Sequence, residues 1–72
     1  YNAGKQSEAR EKLEATLRID PNNTVALLGL GIMSELADNL EEAIRFYERG
    51  LAFEPDNQDI KTRLANLTNG QR

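Results

Sequence analysis

The chain has 72 residues, of which 29% are charged and 39% hydrophobic, with 9 Lys and Arg against 12 Asp and Glu for a net charge of −3. That length holds at most one small domain, and the composition is that of a globular helical protein rather than a disordered one. The absence of Cys and His excludes thiol chemistry, disulfides, zinc sites and imidazole acid–base work.

The chain opens at Tyr1, without a Met or a signal-peptide pattern, and reads as a segment excised from a longer parent. Periodicity and punctuation then mark four helices. The first runs from about Gln6 to Ile19, with an inward stripe of Ala9, Leu13 and Leu17 and with Thr16 beside it. Glu8 with Lys12, and Glu14 with Arg18, are spaced for i,i+4 pairing on its wet side. Pro21 ends it, because the residue before a proline is pushed out of the helical region.

The second helix runs from about Thr24 to Ala37, capped by Asn23 or Thr24. It is apolar on more than one face: Ala26, Leu27, Leu30 and Met33 on one side, Val25, Leu28, Ile32 and Leu36 on another. Such a helix is covered on several sides. Gly29 and Gly31 each cost it about 1 kcal/mol of propensity, which close approach of a neighbouring helix would offset. Its longest mostly apolar run, Val25 to Met33, is half of what a bilayer requires, so no membrane insertion is expected.

Asp38-Asn39 makes a tight turn, and Asn39 with Glu42 is spaced as a capping box. The third helix continues to about Phe53, with Leu40, Ala43, Ile44, Tyr47 and Leu51 inward and Glu41 spaced to pair with Arg45. Pro55 ends it. The fourth follows an Asp56 or Asn57 cap and runs to about Thr68, with a stripe of Ile60, Leu64 and Leu67 and an Asn69-Gly70 stop. No segment alternates with period two, so no sheet is expected.

Ile19-Asp20-Pro21-Asn22-Asn23 recurs 34 residues later as Phe53-Glu54-Pro55-Asp56-Asn57. The same offset pairs Ala9 with Ala43, Leu13 with Tyr47, Leu17 with Leu51 and Leu30 with Leu64. Size, turn chemistry and helical phase are kept together, which marks an internal repeat. A unit this short cannot bury its own apolar face and stacks on its neighbours, and that points to binding rather than catalysis.

Paired helices of this length, with a proline turn every 34 residues, resemble the tetratricopeptide repeat. Leu27 with Leu30-Gly31 matches the family's first-helix signature, and Ala43, Tyr47, Gly50 and Pro55 match the second. The resemblance implies an all-α solenoid fragment of four antiparallel helices in a single domain. Residues 1–23 look like the end of one repeat, 24–57 a complete repeat, and 58–72 a following first helix or a capping helix. Asp38 stands where the family turns on Gly, and Ser34 and Lys61 replace bulky residues, which weakens packing locally.

The resemblance also implies a concave groove lined by the first helix of each repeat. Helical phase sends Val25, Leu28, Gly29, Ile32 and Leu36 toward it from the complete repeat, and Asp59, Thr62, Arg63 and Asn66 from the last helix. One wall is then apolar and the other polar, a site for a peptide with apolar anchors to which Arg63 and Asn66 supply hydrogen bonds. The competing reading is that further repeats of the parent cover Leu28 and Ile32. The carboxylate clamp that some relatives close on chaperone C-termini needs Lys, Asn and Arg on successive helices. Leu28, Gly29 and Ile32 stand at those places, and of the set Arg63 alone fits.

Glu41-Glu42 and Asp56 with Asp59 lie at helix starts, where negative charge suits the dipole, so they read as solvated caps rather than catalytic pairs. The sequons Asn22-Asn23-Thr24 and Asn66-Leu67-Thr68 are of a kind that chance supplies in an Asn-rich chain. Phe46 and Phe53 sit at the edge of the third helix's inward face. With no nucleophile–base pair and no metal cluster, no enzyme activity, cofactor or small-molecule substrate is expected. No stripe of Lys or Arg is available to neutralise phosphates, so no nucleic-acid partner is expected either. The expected role is a protein-interaction module, a scaffold or adaptor for a protein or peptide partner. Two alternatives stand beside it: a homo-oligomerisation element, and a regulatory segment of an enzyme elsewhere in the parent.

Overall fold

In the computed structural model, which describes residues 3–69, four helices follow one another: α1 (Ala3–Ile19), α2 (Thr24–Leu36), α3 (Leu40–Phe53) and α4 (Gln58–Asn69). Among the described residues there is no strand. Each helix packs on its predecessor, most extensively α3 on α2. The connections are three or four residues long, so successive helices return antiparallel. The breaks fall at Pro21, Asp38 and Pro55, as the punctuation predicts. The expected stop at Gly70 lies outside the described residues.

The 34-residue period is visible in the backbone hydrogen bonds. The Asp20 N–H closes α1 on Thr16 O at 2.8 Å, and the Glu54 N–H closes α3 on Gly50 O at 2.8 Å. Asn23 then accepts from the Ala26 N–H at 3.0 Å through Oδ1, and Asn57 does the same for Ile60 at 3.0 Å. Asn23 and Asn57 are thus the caps of α2 and α4, each satisfying a donor that would otherwise have no partner in the first turn.

The α2–α3 turn is built differently. The Asp38 N–H donates to Glu35 O at 2.9 Å and the Asn39 N–H to Ser34 O at 2.8 Å, the paired bonds of a Schellman ending. That ending needs a left-handed residue, and Asp38 supplies it at φ 63°. The expected capping box therefore does not form: the Asn39 N–H is spent on Ser34, and its side chain makes no cap hydrogen bond. Instead Glu42 accepts from Asn39 Nδ2 at 3.2 Å, from Ser34 Oγ at 3.0 Å and from Arg10 Nη2 at 3.2 Å. One carboxylate ties α1, α2 and α3 together, and it gives the buried Ser34 a partner.

The core joins Ala26, Leu27 and Leu30 of α2 to Ala43 and Tyr47 of α3 and to Ile60 and Leu67 of α4, each nearly or wholly out of solvent. Leu30 and Tyr47 are both at 0% exposure, as the stripe joining the two helices requires. A β-carbon added to Gly31 would run into the Tyr47 ring, so this glycine is what lets α2 and α3 approach.

The inward stripe of α1 is corrected at one end. Leu13 and Leu17 are half-buried, but Ala9 is exposed; the close approach of α2 at Gly29 falls on Leu13, one turn further along α1. The expected surface pairs are corrected too. Among the described residues the ion pairs are Arg10–Glu14, Arg10–Glu42 and Asp59–Arg63, not Glu8–Lys12, Glu14–Arg18 or Glu41–Arg45. Arg10 is drawn across to α3, and exposed pairs of long side chains contribute too little to hold the others closed.

Candidate functional site

At 100° per residue, α2 has two opposed faces. Ala26, Leu27, Leu30, Gly31 and Ser34 form the buried one, against α3. Val25, Ile32 and Leu36 lie on the other. Val25 is 75% exposed and Leu36 74%, while Ile32 between them is half-buried. Val25 and Leu36 are thus large apolar side chains left exposed on a helix whose opposite face is buried.

Leu28 and Gly29 flank that stripe on either side. Leu28 is half-buried and packs against the cluster of Ala43, Tyr47, Ile60 and Leu67, so it roofs the core. Gly29 faces α1: a β-carbon there would lie 2.9 Å from Leu13 Cδ1. It sets the α1–α2 approach. On α4, Asp59, Thr62 and Asn66 are exposed and Arg63 is half-buried.

Arg63 Nε donates to Asp59 Oδ1 at 3.0 Å, across one turn of α4. Tyr47 Oη, reaching up from α3, donates to Glu35 Oε1 at 2.6 Å. Burial, then the hydrogen bond to Glu35 and its charge, hold the Tyr47 phenol well above its usual range, against a smaller opposing pull from Arg63. Desolvation works to lower the Arg63 guanidinium, but the Asp59 hydrogen bond and charge, helped by Tyr47 and Glu35, raise it. Glu35, Tyr47, Arg63 and Asp59 therefore form one polar band between α2 and α4.

Glu35 was not among the residues that helical phase sends to the groove. Its spacing from Leu28 and Ile32, seven and three residues on, places it on their flank, and that heptad relation was the available signal. Its bond to Tyr47 spans 12 residues and two helices, so no local pattern shows it. An open depression lies along α1, lined by Glu11, Lys12, Glu14, Ala15 and Arg18, all from that one helix.

Among the described residues, no three His, Cys, Asp or Glu side chains gather in a way that could hold a metal ion. No described helix is long and apolar enough to cross a membrane. A family model described as Tetratricopeptide repeat matches residues 2–67. Among curated proteins, none matches the chain.

Proposed function

Because the chain belongs to the tetratricopeptide repeat family, whose repeats are typically non-catalytic protein-interaction modules, we propose that it binds a peptide or partner helix in the groove between α2 and α4. One observation supports this more than any other. Val25 and Leu36 stand three-quarters exposed on the face of α2 turned away from α3, while the opposite face is sealed. Ile32 and Leu28 between them supply a floor for apolar anchors, and Thr62, Arg63 and Asn66 line the polar wall. Burying the stripe would gain about 25 cal/mol for each Å² of apolar surface removed from water.

Site-specific photo-crosslinking tests this reading. A photoreactive residue at Leu36 is expected to capture partner protein, and one at the exposed Glu48 of α3 is not. Equal capture from both positions would contradict the groove.

A second reading, self-assembly, draws on Ile19 and Phe53. They hold the same place in successive repeats and are 88% and 56% exposed, one apolar side chain at the end of α1 and one at the end of α3. Light scattering across a concentration series separates the two readings. A mass that rises with concentration supports assembly, and a constant monomer mass removes it.

A further inference from the structure

Four residues of α4 are less buried than those 34 places earlier in α2. They are Lys61 against Leu27, Leu64 against Leu30, Ala65 against Gly31 and Thr68 against Ser34. The four α2 residues form the face that α3 covers. On α1, Ala9 and Leu13 fall short of the fully buried Ala43 and Tyr47 in the same way. Ala43 and Tyr47 are the α3 residues that meet that face of α2 in the core. The shortfall on both helices is therefore one contact, the one that α2 makes with α3. α4 leaves the first-helix half of it open, and α1 leaves the second-helix half open.

We propose that these halves close on each other between copies, α4 of one chain packing on α1 of the next as α2 packs on α3. The proposal rests on the self-assembly reading above and moves its contact from Ile19 and Phe53 to these two faces. The residue changes across the halves match. A β-carbon at Gly31 would run into Tyr47 Cδ1, Cε1 and Cζ. Between copies Ala65 brings that methyl, and Leu13 opposite it has neither Cε1 nor Cζ. Ser34 Oγ donates to Glu42 Oε1 at 3.0 Å, and the same offset sets Thr68 opposite the exposed Glu8, again a hydroxyl and a carboxylate. The Thr68 hydroxyl, bonded to Leu64 O at 3.0 Å within α4, turns to Glu8 on assembly. Lys61 is the misfit: in the place of Leu27 its stem covers apolar surface while its ammonium stays at the rim, which keeps the contact weak. Asp59, Thr62, Arg63 and Asn66 lie on the opposite side of α4 by helical phase, so a groove ligand and a second copy do not compete. Each copy offers a different half at either end, so the contact is heterologous and does not close at two.

The test is sedimentation equilibrium of the intact chain over a concentration series, beside Ala9→Arg, Lys61→Leu and Ile19→Ser. The average mass should climb past twice 8.1 kDa without a plateau at the dimer. Ala9→Arg alters a position exposed in the single chain, so it should leave the melting temperature unchanged and hold the mass at the monomer. Lys61→Leu restores the α2 residue and should tighten association by about ten-fold. Adding Ala9→Arg to it should cancel that gain, which general stickiness would not. Ile19→Ser should leave association as it is. Growth that survives Ala9→Arg, or that stops at the dimer, would overturn the proposal and leave self-assembly through another surface. A constant monomer mass for the natural sequence would overturn the proposal together with the self-assembly reading.

Discussion

Ala9 and Ala43 hold the same place in successive repeats, yet Ala43 is fully buried and Ala9 lies in solvent. Leu13 and Tyr47 are a second such pair, half-buried in α1 and at 0% exposure in α3. The sequence pattern is nearly the same, and the difference is in the neighbours. α3 packs between α2 and α4, whereas the main contact of α1 is with α2. Burial in a stacked repeat is set by how many helices surround a position, and identity at that position only permits it.

The strongest way to break this comparison is to truncate the paired residues. Tyr47→Ala should cost about 3–5 kcal/mol, because a fully enclosed ring leaves a cavity that cannot collapse. Leu13→Ala should cost less than half as much, since solvent already reaches that side chain. Urea unfolding of the two variants measures both, and equal losses would place α1 in the core.

Alkaline pH probes the same ring. The unfolded phenol ionises near pH 10, but folded Tyr47 keeps its proton to higher pH, through burial and then Glu35. The stability this contributes is fully present below pH 10 and is lost as pH rises above it, by up to about 1.4 kcal/mol per pH unit. Tyr47→Phe should flatten that part of the stability–pH curve.

The two glycines of α2 sharpen the contrast, since Gly31 faces Tyr47 and Gly29 faces Leu13. Gly31→Ala drives a methyl into an immobile ring, and the overpacking should outweigh about 1 kcal/mol of helix propensity gained. At Gly29 the obstacle is the tip of a flexible, half-buried leucine that can yield. Gly29→Ala should be neutral, or stabilising by up to about 1 kcal/mol. Thermal unfolding of the pair gives the order. The smallest effect belongs to the turn, where Asp38→Gly should stabilise by about 0.5–1 kcal/mol by relieving the left-handed φ of 63°.

The helices, their breaks and the buried stripe were legible because apolar spacing, caps and prolines are local signals. Asn23, Pro21 and Pro55 each act within a few residues. What local spacing misses is side-chain reach between helices. The Glu42 carboxylate looked like part of a cap and instead joins three helices through Ser34, Asn39 and Arg10. Glu35, which no local spacing singles out, is held by a tyrosine from the next helix. On the face of α2 away from α3, phase put Val25, Ile32 and Leu36 together. It did not separate Gly29, which meets α1, from Leu28, which meets the α3–α4 core, because both lie within about 60° of that face.

The central claim is that α2 folds with one face and offers the other, and urea unfolding of Leu30→Ala beside Leu36→Gln tests it most directly. Leu30, at 0% exposure, should lose about 2–5 kcal/mol on truncation. Leu36, at 74% exposure, should change stability by less than about 0.5 kcal/mol, as surface positions do. A Leu36→Gln variant that unfolds as readily as Leu30→Ala would show that this side chain is covered in the folded chain, and the open face of α2 would not exist.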